Sequence, residues 1–128
     1  MHWNDVTRHL LSLLISTIAL TACGSVPSKP ARIARSSLGC IDAVVQRVDV
    51  GGLSDQRAHC LVAGSISRYC SISEAYLAGI GKEIADLFTR GDAQWTDWRA
   101  DRIGIACARE AHDDAQLAVC CEREERIR

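Results

Sequence analysis

From residue 38 onward, apolar positions recur three or four residues apart, and the strict alternation that marks a strand is nearly absent. The pattern predicts helices throughout. The first covers about Leu38–Val48 and ends before Gly51-Gly52. The second runs about Ser54–Arg68, with Ser54 or Asp55 as its cap. The third opens at Ser71-Ile72-Ser73-Glu74, a capping-box pattern, and runs to Phe88 or Arg90, where Gly91-Asp92 closes it. The fourth spans about Thr96–Ala111, capped by Thr96 or Asp97, with Trp95 and Trp98 as a hydrophobic staple around Thr96. The last covers Asp113–Arg123. No proline follows Pro30, so nothing interrupts these helices. The expected fold is all-α, a small bundle of about four to five short helices.

Small residues sit inside the predicted helices: Ala58, Ala63, Gly64, Ala78, Gly79, Gly81, Ala85, Gly104 and Ala106. A glycine within a helix costs up to about 1 kcal/mol against alanine. Close approach of helix backbones is the usual compensation.

The N-terminal pattern is different. Arg8 and His9 precede an apolar run, Leu10 to Leu20, far shorter than the roughly 20 residues of a membrane-spanning helix. It fits the apolar region of a secretory signal. Leu20-Thr21-Ala22-Cys23 follows and resembles the bacterial lipobox. The resemblance implies cleavage before Cys23 and acylation of its sulfur with palmitate-type chains, which anchors residues 23–128 to a membrane. Gly24 stands where inner-membrane members of that family carry Asp, so the resemblance implies the outer membrane, with the domain facing the periplasm.

Residues 24–37, GSVPSKPARIARSS, hold both prolines and read as a flexible tether whose Lys29, Arg32 and Arg35 can attract anionic headgroups. The expected organisation is a signal peptide over 1–22, acylated cysteine and tether over 23–37, and a helical periplasmic domain over 38–128.

The 128-residue chain carries a net charge of -1, which gives no field for nucleic acid. Only 5% of residues are aromatic, so a small core must be built from aliphatic side chains and cysteine. Covalent staples suit such a core. With Cys23 acylated, six of the seven cysteines remain: Cys40, Cys60, Cys70, Cys107, Cys120 and Cys121. An even number in an exported chain predicts disulfides. Zinc is the alternative, but no C-x-x-C pair occurs. Cys120 and Cys121 are neighbours on a helix, point about 100° apart and should reach different partners. The connectivity is otherwise open.

Three polar stretches carry the candidate chemistry: DQRAH at 55–59, GIGKEIAD at 79–86 and DWRADRIG at 97–104. Residues three or four apart share a helix face, so Asp55 stacks with His59, Glu83 and Asp86 share a face with Gly79, and Asp97 and Asp101 share one with Gly104. Carboxylates gathered away from water need a cation, a metal or a shared proton. The candidate site is therefore Asp55, His59, Lys82, Glu83, Asp86, Asp97 and Asp101. It can be read as a structural network with Lys82, Arg57, Arg99 and Arg102, as plain exposed charge, or as an acid–base or divalent-metal site. No nucleophile motif surrounds Ser65, Ser67 or Ser73.

The pattern D-x-x-x-H, G-K-E-x-x-D, D-x-x-x-D-x-x-G over residues 55–104 resembles the YfiM-like lipoproteins and, more faintly, the VanZ-like membrane family. The resemblance implies an envelope location and no particular reaction. The leading expectation is a non-catalytic envelope module that binds a protein or small ligand or stabilises a partner, with no cofactor expected. The rival is a small metal-dependent or acid–base enzyme using His59, Glu83, Asp97 and Asp101. A binding module should expose an apolar patch, expected around Tyr69, Tyr76 or Trp95.

Overall fold

The computed structural model describes residues 29–88 and 94–127. The expected signal peptide, Cys23, the start of the expected tether and the expected Gly91-Asp92 helix stop lie outside the described residues. Five helices follow one another without a strand among the described residues: α1 Ser37–Arg47, α2 Asp55–Tyr69, α3 Ile72–Phe88, α4 Trp95–Glu110 and α5 Asp114–Arg126. The fold is all-α, as the spacing predicts. None of the described helices is long and apolar enough to cross a membrane.

Most helix starts follow their local chemistry. Ser36, Ser54 and Asp113 accept backbone N–H groups of Gly39, Arg57 and Gln116 and so cap α1, α2 and α5. At α3 the Ser71 hydroxyl accepts from the Glu74 backbone N–H at 3.1 Å. The start of α4 differs from expectation. Its cap is Gln94, which makes no side-chain cap bond. Asp97 is drawn into the interior instead of capping, and Trp95 is exposed, so the expected staple does not form. Trp98 packs on Tyr76, ring centroids 5.8 Å apart.

Helix α2 is central and touches all four others, α4 most extensively. Its second half is buried continuously from Ala63 to Arg68. The α2–α4 crossing depends on two glycines. A Cβ on Gly104 would lie 2.0 Å from the Cys60 carbonyl oxygen, and one on Gly64 would lie 2.8 Å from the Gly104 carbonyl oxygen. No larger residue fits there. Gly81 is different, with nothing within 4 Å of a Cβ.

Three disulfides join Cys40 to Cys70, Cys60 to Cys121 and Cys107 to Cys120. The adjacent cysteines on α5 reach different helices, as their angular separation requires. Two core clusters result. One gathers Val44, Ala63, Ile66, Ala75 and Ile105 around the first bridge; the other gathers Ala111 and Leu117 around the remaining two.

Two ion-pair devices hold irregular backbone. The buried Arg68 guanidinium donates to the Ala111 and His112 carbonyls at 2.6 and 3.2 Å and to Asp114 at 3.1 Å, clamping the α4–α5 turn. Arg32 donates to both oxygens of buried Glu74, at 2.6 and 2.7 Å. Ile33 and Ala34 pack on the first core cluster. The last part of the expected tether, from residue 29, therefore lies against the helices. Arg32 and two hydrogen-bonding hydroxyls, with Arg32 the largest influence, hold the Glu74 carboxyl well below the usual carboxylate range.

Candidate functional site

Helices α2, α3 and α4 each bring charged side chains to one place. Asp97 and Asp101 lie one turn apart on α4 and both point inward, where they are buried. His59 comes from α2, and Lys82, Glu83 and Asp86 come from α3. The His59 Nδ1 lies 2.9 Å from Asp101 Oδ1, and its Nε2 lies 3.4 Å from Asp97 Oδ2. Lys82 Nζ is 3.6 Å from that same Asp97 oxygen, donates to Asp86 Oδ2 at 2.8 Å and stands 3.8 Å from Glu83 Oε1. Acid and base alternate along the row Asp101, His59, Asp97, Lys82, Asp86.

Gly79 makes the row possible on the α3 side. A Cβ there would come within 2.6 Å of Asp101 Oδ2, so only glycine lets the carboxylate lie against the helix. The hydrogen bond to Asp101 is the largest influence on His59 and raises its pKa; both carboxylate charges add to this, while burial and the Lys82 charge oppose it. Each ring nitrogen faces one acid, and the two carboxylates favour the charged ring over the neutral one. Lys82 is likewise held above its ordinary value, first by its hydrogen bond to Asp86. Two oxygens in the cluster remain buried without a hydrogen-bond partner: Asp101 Oδ2 and Glu83 Oε1.

Beside the cluster, α1, α2 and α3, with Asp101 of α4, line a cavity of about 370 Å³ that opens to solvent. Its walls are aliphatic, among them Ile41, Val45, Val62, Ile66 and Ala78, and its polar end is formed by His59, Lys82 and Asp101. That volume is within the range of small-molecule sites.

Six of the seven candidate residues thus converge. Asp55 does not, since it is the first residue of α2 and exposed to solvent, where its charge suits the helix N-terminus. The arginines expected to neutralise the acids also lie elsewhere. Arg57 pairs with Glu122 at 3.3 Å. Exposed Arg99 and Arg102, together with Arg109 and Tyr76, line a separate depression of about 470 Å³. Lys82 and His59 supply the cations instead.

Among the described residues, three ligand-type atoms approach within 4.8 Å of one another at Cys60, Cys107 and Cys121, and these sulfurs are already bonded in disulfides. The His59 cluster does not gather three carboxylate or imidazole donors that closely. The expected aromatic patch is divided as well. Tyr69 donates to Asp114 at 2.5 Å, Tyr76 packs on Trp98, and Trp95 stays exposed.

A large apolar surface does exist, on α3. Leu77, Ile80, Ile84 and Phe88, three or four residues apart, are 62%, 44%, 50% and 88% exposed. Ala75, Ala78 and Gly79 take the inward side of the same helix, so its large residues are turned out. Arg68 and the α3 row escaped expectation for different reasons. The partners of Arg68 are backbone carbonyls more than forty residues away. The α3 row is visible as a helical pattern, but nothing local says that alanines and glycine would take the core side.

Against known proteins the chain has no match: no family model, no curated protein and no solved structure is similar to it.

Proposed function

We infer that this chain is a lipid-anchored, non-catalytic binding module of a bacterial cell envelope, held at the outer membrane through acylated Cys23. Its helical domain faces the periplasm and engages a protein partner through the outer face of α3. The resemblance of Leu20-Thr21-Ala22-Cys23 to the lipobox supports the anchor, and the three disulfides suit an oxidising compartment. The observation that carries the binding role is the α3 row. Leu77, Ile80, Ile84 and Phe88 expose large side chains on one stripe of one helix, the arrangement of a helix that docks into an apolar groove.

The rival reading, an acid–base enzyme at His59, is less well supported. A general base needs a ring nitrogen free to accept a proton near working pH. Here both ring nitrogens face carboxylates, and the pKa is raised. The cluster therefore reads as a positioning network between α2, α3 and α4.

The test is a photoreactive side chain placed at Ile80 of the full-length chain in intact cells, with Arg102 on α4 as the control position. A discrete protein adduct from position 80 and none from 102 is the expected result. No adduct, or the same adducts from both positions, would remove the α3 face from the account.

A further inference from the structure

On the opposite side of α3 from its exposed row lies the cavity, and its chemistry is a separate matter from the docking face. We propose that the open cavity lined by α1, α2 and α3 binds a small organic cation, an aliphatic amine whose hydrocarbon body lies against the aliphatic walls and whose ammonium group is held by Asp101.

The walls favour an apolar body. Ile41, Val45, Val62, Ile66 and Ala78 offer no hydrogen bonds, and about 370 Å³ holds about a dozen water-sized groups. The polar end selects the head group. Asp101 is 96% buried, being 4% exposed. One of its oxygens is taken by His59, and the other, Oδ2, has no partner and lies at the Gly79 wall. A buried carboxylate oxygen without a donor is costly, and a ligand ammonium supplies the donor.

Charge counting points the same way. The cluster sets at most two cations, His59 and Lys82, against four acids, Glu83, Asp86, Asp97 and Asp101. The second unpartnered oxygen, Glu83 Oε1, is also an acceptor. What is in surplus is negative charge and acceptor capacity. Neither cation is free to receive an anion. Both ring nitrogens of His59 face carboxylates, and Lys82 Nζ is engaged by Asp86 with Asp97 and Glu83 close by. Asp101 is the one acid among the residues that line the cavity, and a fatty acid or a phosphate-headed amphiphile would set a second negative group against it while His59 and Lys82 are already engaged by acids. An amine removes part of the surplus.

The experiment is thermal melting of the full chain in phosphatidylcholine vesicles, with hexylammonium, hexanoate and 1-hexanol compared at equal concentration. A ligand that binds only the folded chain raises its melting temperature in a saturable way. Hexylammonium should do so, with an affinity at least ten-fold above the other two probes. Ala78→Leu, which fills the cavity from its aliphatic wall and removes no charged group, should abolish the rise. Asp101→Asn should weaken hexylammonium at least ten-fold while leaving 1-hexanol unchanged. If Asp101→Asn does not fold, Ala78→Leu decides by itself. Hexanoate or hexanol binding as well as the amine would overturn the proposal. So would a hexylammonium effect that survives Ala78→Leu, since the amine would then be sitting on exposed acids outside the cavity. An unchanged hexylammonium affinity in folded Asp101→Asn would overturn it too.

Discussion

Towards α4 and α5, helix α2 presents Gly64 and the bare backbone of Cys60 to partners that come into direct contact, and two disulfides close that side. Towards α3 it presents His59, Val62 and Ile66 to a cavity and a row of charges. The first side carries two of the three bridges and a close backbone crossing; the second carries the Cys40–Cys70 bridge, the cavity and the charged row. The difference teaches that this small domain concentrates its bridges and closest packing in one half and leaves the cavity and the exposed apolar row of α3 to the other. An aliphatic core this small is marginal by area. Bridges and a glycine crossing on one side offset the apolar area that the outward row of α3 leaves uncovered.

The comparison can be broken at several points. The largest effect is expected at the crossing. Gly104→Ala sets a Cβ against the Cys60 carbonyl, which is backbone and cannot rotate away. Thermal or urea unfolding should show a loss of about 3 kcal/mol. A loss below about 1 kcal/mol would mean the crossing is not tight.

Asp101→Ala comes next. It leaves His59 with half its compensation, and because Asp97 still faces the ring the loss should stay below the ~3–5 kcal/mol of a fully broken buried pair, at about 2 kcal/mol. Glu83→Ala should cost far less, because Lys82 retains its closer bond to Asp86. Equal losses in urea unfolding would contradict the geometry.

A pH series sharpens the same point. The folded pKa of His59 is raised above the ordinary value of about 6.5. Its contribution is therefore fully present below about pH 6.5 and is lost as pH rises through the folded pKa. Melting temperature should fall over that interval, and His59→Gln should flatten the fall. Glu74 has the opposite sign. Its folded pKa is lowered, so its contribution is present above about pH 4.5 and is lost only on acidification.

The smallest effect is expected at Gly81→Ala. Nothing lies within 4 Å of the new methyl, so the substitution should stabilise the domain by about 0.5–1 kcal/mol through helix propensity alone. A loss in the same melting assay would show that α3 is packed against something at that position.

Much of this architecture was legible in local residue patterns. Ser54, Ser71 and Asp113 announce their helices because capping is a contact between near neighbours. The start of α4 misled, since Asp97 has the chemistry of a cap but finds stronger partners in His59 and Lys82 on other helices. The candidate site was legible within each helix through face sharing. Its assembly across helices was not, because face sharing does not say which faces meet. Asp55 shows the limit: it shares a face with His59 yet projects from the first turn into solvent. The cavity has no sequence signature, being the space left where Ala75, Ala78 and Gly79 take the inward positions of α3.

The most direct test is a double substitution, Leu77→Glu with Ile84→Glu, in the full-length chain carrying the photoreactive group at position 80. Melting temperature and adduct formation are measured on the same preparation. If α3 is a docking face, stability changes by no more than about 0.5 kcal/mol, as for other surface positions, and the adduct disappears. A loss of more than about 2 kcal/mol would place these side chains in the core of the free domain and contradict the division between a stapled half and a binding half.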